Sequence, residues 1–374
     1  MAGIYIHIPF CQSRCIYCDF YSTLHLNRRE AYVDALLCEM RERLEELPTH
    51  ARTYNTLYIG GGTPSTLSPD SLQRLIHGCT DLFPLTEGAE VTVEANPDDV
   101  TPQWVSMLKD TPVNRISMGT QTFNDQLLRF LNRRHSSQQA RQAVRILQDA
   151  GYSNISIDLI YGIPGQDRAI WQEDLRQALA LDVSHLSAYS LMYEEGTALT
   201  RLRDQGKIRE TDEDHALWCY ELLCDQLQTA GYEHYEISNF ARPGYRSRHN
   251  SSYWQGSPYL GFGAGAHSYD GDRIRRWNAS DLLRHIQEGP DGDSEQLTDT
   301  DLYNEFVMTR LRTREGIDLE QAGRRFGTDR LKHLLQQAKP HLLSGNLQQT
   351  GQSIHLTRGG IFVSNQIMAD LFCE

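Results

Sequence analysis

The chain has 374 residues, 39% of them hydrophobic, and a net charge of −13. This length predicts about two to three domains, and the negative charge excludes a global basic field, so no nucleic acid partner is expected. No apolar run approaches the roughly 20 residues of a membrane-spanning helix. The N-terminus lacks the basic start and apolar core of a secretion signal. We therefore expect a cytoplasmic protein.

Strand-like and helix-like segments alternate six times through the first 200 residues. The predicted strands lie at 3–8, 55–60, 90–97, 114–121, 154–162 and 185–191. The predicted helices lie at 27–47, 68–83, from 101, from about 124 and at 170–180. Such βα repeats predict a parallel sheet covered by helices, either doubly wound or a partial barrel. Polar and glycine-rich motifs at the carboxyl ends of the strands favour the barrel.

The pattern changes after about residue 199. A long amphipathic helix is predicted at 212–232, followed by an aromatic-rich irregular stretch and a glycine-rich stretch. The acidic segment 288–301 is predicted to be a linker. Beyond it, the order helix, short helix, helix, strand pair and helix predicts a small α+β winged-helix-like module. The predicted domains are 1–200, 201–290 and 291–374.

Three of the eight cysteines, Cys11, Cys15 and Cys18, follow the first predicted strand with C-x3-C-x2-C spacing. Thiolates suit zinc, copper(I) or iron–sulfur clusters. A structural zinc site is usually closed by four ligands in two pairs, and the chain has no second C-x2-C pair. Three thiolates on a [4Fe–4S] cluster would leave one iron open. Structural zinc and three incidental cysteines are the alternatives.

The motifs CQSRCIYCDF, GGGTPS, EANP, SMGTQTFND, LNRRH and DLIYGIPGQ follow one another along the chain. In this order they resemble the radical S-adenosylmethionine (SAM) superfamily over nearly the whole chain. More narrowly, they resemble the branch that contains oxygen-independent coproporphyrinogen dehydrogenase (HemN) and the HemW-type heme chaperones. The resemblance implies a partial (β/α)6 barrel, and a [4Fe–4S] cluster on the three cysteines. It also implies that SAM chelates the fourth iron.

The same resemblance implies a set of SAM contacts, several of them at successive strand ends. Arg133 would offer a fork for the methionine carboxylate, and Asp158 would accept hydrogen bonds from the ribose. Taken singly, such residues are more often structural or solvated. The implied contacts are Tyr5, Tyr17, Gly61, Gly62, Thr63, Glu94, Gln121, Arg133 and Asp158.

Within this branch, three features favour the heme chaperones. HemN-type dehydrogenases carry a cysteine where this chain has Phe20. They also have an N-terminal extension before the first strand, whereas in this sequence Tyr5 of the first predicted strand is only the fifth residue. The sequence HNSSYW matches the H-N-x-x-Y-W motif of HemW-type proteins. It suggests His249 as a heme ligand, with Tyr253 and Trp254 lining the pocket. A satisfied structural histidine is the alternative, and His267 is a weaker ligand candidate.

The resemblance therefore predicts a chaperone that binds heme b and delivers it to acceptor hemoproteins. Coproporphyrinogen dehydrogenation is the first alternative, and another radical SAM reaction such as methyl transfer is the second. Whether the chain is an enzyme stays open at this point. The sequence also leaves open a homodimer and a peripheral contact with a membrane.

Overall fold

The computed structural model describes residues 2–47, 49 and 52–374. Six parallel strands form the centre of its larger sheet and lie side by side in chain order. They are β1 (Ala2–Ile8), β2 (Tyr54–Gly61), β3 (Leu85–Ala95), β4 (Arg115–Gln121), β5 (Ile155–Tyr161) and β6 (His185–Ser190). All six predicted strands are present. In the described sheet β6 pairs with an antiparallel strand and not with β1, so the barrel is partial, as predicted.

Helices connect these strands and cover one face of the sheet. They are α1 (Arg29–Glu42), α2 (Pro69–Leu82), α3 (Pro102–Leu108), α4 (Asp125–Phe130), α5 (Ser137–Asp149) and α6 (Arg168–Ala180). Helix α2 starts as its sequence predicts, because the Ser68 side chain accepts a hydrogen bond from Ser71 N and Pro69 occupies the first turn. Two helices, not one, connect β4 to β5.

Each strand sorts its side chains between two faces. In β1, Ile4, Ile6 and Ile8 are fully buried in the apolar core shared with the helices, while Tyr5 and His7 point to the other face. The same alternation in the neighbouring strands gives the concave face a polar lining. Its members include Thr56, Tyr58, Glu90, Thr92, Glu94, Arg115, Ser117, Ser156, Asp158, His185 and Ser187.

The middle of the chain extends the sheet at both edges. Its elements are α7 (Ala198–Asp204), α8 (Glu213–Thr229), β7 (Glu233–Glu236), β8 (Asn239–Ala241), α9 (Arg248–Trp254), β9 (Tyr259–Phe262), β10 (His267–Tyr269), β11 (Ile274–Asn278), α10 (Leu282–Glu288) and β12 (Gly292–Gln296). Strand β8 pairs with β6, whereas β9 pairs with β1. Helix α9 therefore lies where the chain crosses from one edge of the barrel to the other.

Two predictions for this region were wrong. The aromatic-rich stretch at 234–254 is not irregular, because it forms most of β7, all of β8 and α9. The predicted linker at 288–301 contains β12, which pairs with β11. Every residue of β12 is exposed, so its sequence has no apolar alternation that would mark a strand, and backbone pairing alone defines it.

A small C-terminal domain follows. It contains α11 (Asp299–Leu311), β13 (Ile317–Asp318), α12 (Leu319–Leu343), β14 (Leu347–Thr350), β15 (Ser353–Leu356), α13 (Arg358–Phe362) and α14 (Ser364–Leu371). The backbone of Gly327 is left-handed and divides α12 into a short and a longer helix. The predicted helices and strand pair are therefore present in order, with β13 before α12 and a second helix after the strand pair that were not predicted. The domain has its own apolar core around Tyr303, Leu334 and Ile354. The domain boundaries themselves stay a prediction. No described helix combines the length and apolar character needed to cross a bilayer.

Candidate functional site

The three clustered cysteines lie on the loop between β1 and α1. Their thiols form no disulfide, and all three are partly exposed. Two contacts hold the loop against other parts of the barrel. Ile16 N donates to Leu131 O at 3.3 Å, and Leu199 N donates to Ile16 O at 2.8 Å. The connection between β4 and β5 and the start of α7 therefore fix the position of the thiols.

Polar groups from two other loops reach these thiols. Thr63 Oγ1 donates to Cys11 Sγ at 3.6 Å, and Arg133 Nη1 donates to Cys15 Sγ at 3.3 Å. Burial raises the pKa of Cys11, and it raises the pKa of Cys18 to about 11, with neighbouring thiols adding to both effects. Iron must therefore displace protons from at least these two groups when it binds.

A single metal ion and an iron–sulfur cluster place different demands on three thiol ligands. Among the residues that the structure describes, no three His, Cys, Asp or Glu side chains are gathered around one point that could hold a metal ion. A zinc site would need every sulfur about 2.3 Å from the same ion, whereas an iron–sulfur cube presents separate iron atoms to separate thiolates. Three thiols on one loop beside the Arg133 cation are the ligand set that the resemblance to the radical SAM superfamily implies for a [4Fe–4S] cluster.

The glycine-rich turn after β2 packs directly against the end of β1. Gly62 N donates to Ile8 O at 2.9 Å, and a Cβ atom on Gly62 would lie 2.9 Å from Phe10 O. The backbone of Gly61 has a φ of +110°, and a Cβ there would lie 2.5 Å from the His7 ring. Both positions therefore require glycine, which brings this backbone beside the cysteine loop.

Glu94 at the end of β3 is held by this turn. Its Oε1 accepts from Tyr58 Oη at 2.6 Å, and its Oε2 accepts from Gly61 N at 3.1 Å. Burial raises the pKa of Glu94 to about 7, and it raises the pKa of Asp158 on β5 to about 6. Tyr58 was missed by the sequence analysis, although it lies two residues before Gly60 and so shares the inward face.

Arg133 lies where β4 ends, in the connection between α4 and α5. Its Nη2 donates to Gly119 O at 2.7 Å and also to Asn96 Oδ1, while its buried Nε has no partner among the described residues. A Cβ on Gly119 would lie 2.8 Å from Gln121 Nε2 and 3.1 Å from Arg133 Nη2. The absence of a side chain at Gly119 therefore lets these two predicted residues come together. The orphaned Nε fits an anionic group such as a carboxylate.

The two predicted tyrosines have different surroundings. Tyr5 lies on the inward face of β1, with its Oη 2.9 Å from His7 Nδ1 and its ring stacked on Tyr58 at 6.2 Å. The ring of Tyr17 is part of a small apolar cluster with Leu131 and Ile160. In this structure Tyr17 anchors the cysteine loop, and its contact with SAM stays a prediction.

Arg115 was not predicted and is buried beneath the site. It is 1% exposed, and its Nε and Nη1 have no hydrogen-bond partner in the described part of the chain. On the inward face of β4 it lies in register with Thr92, two residues below Glu94 on β3. Its charge lowers the pKa of Glu94 and Asp158, opposing the effect of burial. Arg115 therefore favours the ionised form of both carboxyl groups.

Helix α9 places the HNSSYW motif across the barrel. The imidazole of His249 is 1% exposed. Its Nδ1 lies 2.8 Å from Thr56 Oγ1, and its Nε2 lies 2.8 Å from Tyr253 Oη. The backbone N–H groups of Arg248 and His249 donate to the Glu90 carboxylate at 3.0 and 2.9 Å. Burial lowers the pKa of His249 to about 3, so the ring is neutral.

This geometry offers no free nitrogen of His249 to an iron atom. Coordination would require the loss of the contact with Thr56 or with Tyr253, and the arrangement matches the alternative of a satisfied structural histidine. The role of His249 as a heme ligand stays a prediction. Tyr253 and Trp254 line a cavity of about 430 Å³ against the C-terminal domain. His267 is exposed, and its ring stacks on Trp277 at 6.0 Å.

Comparison with known proteins identifies the family. The Radical SAM superfamily matches residues 5–178, and the HemN C-terminal domain matches residues 297–363. The chain is 36% identical to "Heme chaperone HemW" of Lactococcus lactis over 368 residues, which covers 97% of this chain and 95% of the relative. It is 33% identical to the protein of the same name from Bacillus subtilis, with 100% of both chains covered. The chain belongs to the HemW family of radical SAM proteins.

The fold of this HemW-family chain is also that of a solved structure. It superposes on coproporphyrinogen III oxidase (HemN) from Escherichia coli with a TM-score of 0.84, covering 99% of this chain and 90% of that one. The two sequences are 23% identical, so the likeness shows the fold alone. The predicted α/β class, with a partial barrel and a small C-terminal domain, is confirmed. Radical SAM membership implies a [4Fe–4S] cluster and SAM as cofactors.

Proposed function

We propose that this protein is a heme chaperone, which binds heme b and passes it to acceptor hemoproteins. The observation that carries the proposal is its match to relatives named heme chaperone HemW along nearly the entire chain, as with the Lactococcus lactis and Bacillus subtilis proteins. The Escherichia coli protein of that name is 36% identical over 320 residues, 84% of this chain. The cytoplasmic location stays a prediction, and a homodimer and membrane contact stay open.

In this proposal Cys11, Cys15 and Cys18 hold a [4Fe–4S] cluster. When bound, the cluster would supply an iron atom for SAM to chelate and an electron for reductive chemistry. Arg133 is the residue that stabilises the Cys15 thiolate, because its guanidinium already donates to that sulfur at 3.3 Å. The N–H of its unpartnered Nε would donate a hydrogen bond to the SAM carboxylate.

Glu94 and Asp158 would bind the polar groups of SAM. Both are partly buried on the inward face of the barrel, where a carboxylate makes stronger interactions than it does in water. Tyr58 and the N–H of Gly61 fix the orientation of Glu94. Asp158 lies on the inward face of β5, two strands away from Glu94 and in register with Ser187. The same residues would serve SAM whether or not the protein cleaves it.

Phe20 supports the chaperone over the dehydrogenase. It stands at the position where the resemblance to HemN-type dehydrogenases calls for another cysteine, and its ring is 64% exposed beside the cysteine loop. A phenyl ring supplies neither a thiol hydrogen nor a hydrogen-bond donor to a substrate. The chain therefore lacks at position 20 the cysteine that the resemblance associates with the dehydrogenases.

Two assays on the same anaerobically reconstituted protein test the proposal. The first measures turnover of coproporphyrinogen III, and the second titrates the protein with hemin and then adds an apo-hemoprotein. We expect saturable hemin binding, transfer of heme to the acceptor and no porphyrinogen turnover. Porphyrinogen turnover without hemin binding would contradict the chaperone function and establish the dehydrogenase.

A further inference from the structure

The cavity of about 430 Å³ lies between α9 and the C-terminal domain, and we name it the interdomain cavity. One wall is formed by Tyr253 and Trp254 of α9 together with Tyr259 of β9. The opposite wall comes from α11 and includes Phe306. Its volume falls within the range of about 300–1,000 Å³ that is typical of small-molecule sites. Aromatic side chains in two of its walls suit a flat, unsaturated ligand.

Only some of the charged side chains that line the cavity form ion pairs. Arg275 forms ion pairs with Glu305 at 2.7 Å and with Glu295 at 3.4 Å. Arg310 and Arg325 also line the cavity, and neither has a carboxylate within ion-pair distance in the part of the chain that the structure describes. The interdomain cavity thus carries two unpaired guanidinium groups in a protein whose net charge is −13.

The two arginines are held near each other and near the aromatic wall. Arg310 lies over the ring of Phe306 at 5.5 Å, and its Nη2 is 3.4 Å from Gln255 O. Burial and the nearby charge of Arg325 lower the pKa of Arg310. Arg310 is partly buried and Arg325 is exposed, and a ligand with two anionic groups would relieve the repulsion between their like charges.

We propose that the interdomain cavity binds the carboxylate-bearing edge of a tetrapyrrole, with Arg310 and Arg325 pairing with its two propionates. The aromatic wall packs against the ring, and each guanidinium donates charge-assisted hydrogen bonds to one carboxylate. The inference rests on the proposed function and adds to it a position and an anchoring mechanism. It assigns the cargo site to the contact between α9 and the C-terminal domain, away from the buried ring of His249.

Helix α9 connects this site to the SAM site. Tyr253 lines the interdomain cavity, and its Oη is 2.8 Å from His249 Nε2. The ring of His249 stacks on Tyr58 at 5.0 Å, and Tyr58 in turn donates to Glu94. One helix thus contacts both the proposed tetrapyrrole site and the carboxylate predicted to bind SAM.

Hemin titration of the full-length protein tests the assignment. The variants are Arg310→Met, Arg325→Met and the double variant, with Arg324→Met as the matched control. Arg324 neighbours Arg325 on α12, but it pairs with Glu320 and does not line the cavity. We expect each cavity variant to bind hemin about tenfold more weakly, the effect of one charge-assisted hydrogen bond. Arg324→Met should bind like the wild type, and Arg325→Lys should recover part of the affinity.

A second titration uses hemin dimethyl ester, which keeps the ring and the iron but has no free carboxylate. The wild type should bind it more weakly than hemin, and the double variant should bind both ligands equally. Circular dichroism of each variant checks that the fold is retained. Wild-type affinity for hemin in the folded double variant would overturn this site while leaving the chaperone function intact. No hemin binding by the wild type would instead remove the chaperone function and the site with it. Arginine-dependent binding of phosphatidylglycerol vesicles, but not of hemin, would assign the cavity to a membrane surface and also overturn the proposal.

Discussion

Arg133 Nη1 lies 3.3 Å from Cys15 Sγ and links the loop after β4 to the cysteine loop after β1. The two residues are 118 positions apart in the sequence, and the partial barrel brings them together because both follow the carboxyl ends of strands. The contact places a fixed positive charge beside a thiol that must lose its proton to bind iron. Two predictions concern these residues, and two others concern the polar interior below them.

Arg133→Met should make cluster assembly more dependent on pH. The Arg133 charge lowers the pKa of Cys11 against the effect of burial, so without the guanidinium the Cys11 thiol holds its proton to a higher pH. We expect lower iron and sulfide content after reconstitution near pH 7, partial recovery near pH 9, and about tenfold weaker SAM binding. Arg129→Met is the control because Arg129 is exposed on α4. An unchanged iron content at every pH would contradict this role.

Cys15→Ser should abolish the iron–sulfur absorbance and leave hemin binding within about twofold of the wild type. The physical reason is that serine is a poor ligand for iron in a thiolate site, whereas the proposed tetrapyrrole site lies at the C-terminal domain. Cys38→Ser is the control, since Cys38 is an exposed cysteine on α1. Loss of both the iron–sulfur absorbance and hemin binding in a folded Cys15→Ser protein would show that the cluster and the heme share one site.

Glu94→Gln should change how stability depends on pH. Because the pKa of Glu94 is raised from 4.5 to about 7, the folded state binds this proton more tightly than the unfolded state does. Its ionisation therefore makes the wild type less stable as the pH rises from about 4.5 to about 7. Glutamine cannot ionise, so the free energy of unfolding of the variant should increase relative to the wild type across this range and then level off.

Urea denaturation of the metal-free proteins at several pH values measures this difference. Taking the difference between variant and wild type cancels the contribution of the buried histidines, whose pKa values are lowered. A difference that is constant between pH 4.5 and 7, or that falls, would show that folding does not raise the pKa of Glu94.

His249→Ala should destabilise the protein by about 2–4 kcal/mol, because it leaves a cavity and removes partners from Thr56 and Tyr253. Tyr253→Phe removes one hydroxyl and should cost about 1 kcal/mol. Chemical denaturation of each variant and of the wild type measures both losses of stability. If His249 is a structural residue, a folded His249→Ala protein should bind hemin with the absorption spectrum of the wild type. A stable His249→Ala protein with an altered hemin spectrum would instead identify His249 as the ligand.

The sequence was informative wherever periodicity was strong. The six strands of the barrel alternate or end in distinctive motifs, and capping residues such as Ser68 and Thr101 define where helices start. The glycines and carboxylates at strand ends were implied by the resemblance to the radical SAM superfamily, and periodicity only placed them at the ends of strands. Their convergence follows from the parallel arrangement of the strands.

Other features depend on contacts that no local pattern encodes. Arg115 is the first residue of β4, and the register between β3 and β4 shows that it faces the site. Strand β12 has no apolar face. The pairing of His249 with Thr56 joins residues 193 positions apart, so the sequence could not distinguish a buried structural histidine from an iron ligand.

Mössbauer and electron paramagnetic resonance spectroscopy of 57Fe-reconstituted protein, prepared without oxygen, test the central claim most directly. The account predicts a [4Fe–4S] cluster in which one iron lacks a cysteine ligand and changes its Mössbauer parameters when SAM is added. A protein that assembles no such cluster, or one in which all four irons are bound by side chains and none responds to SAM, would contradict it.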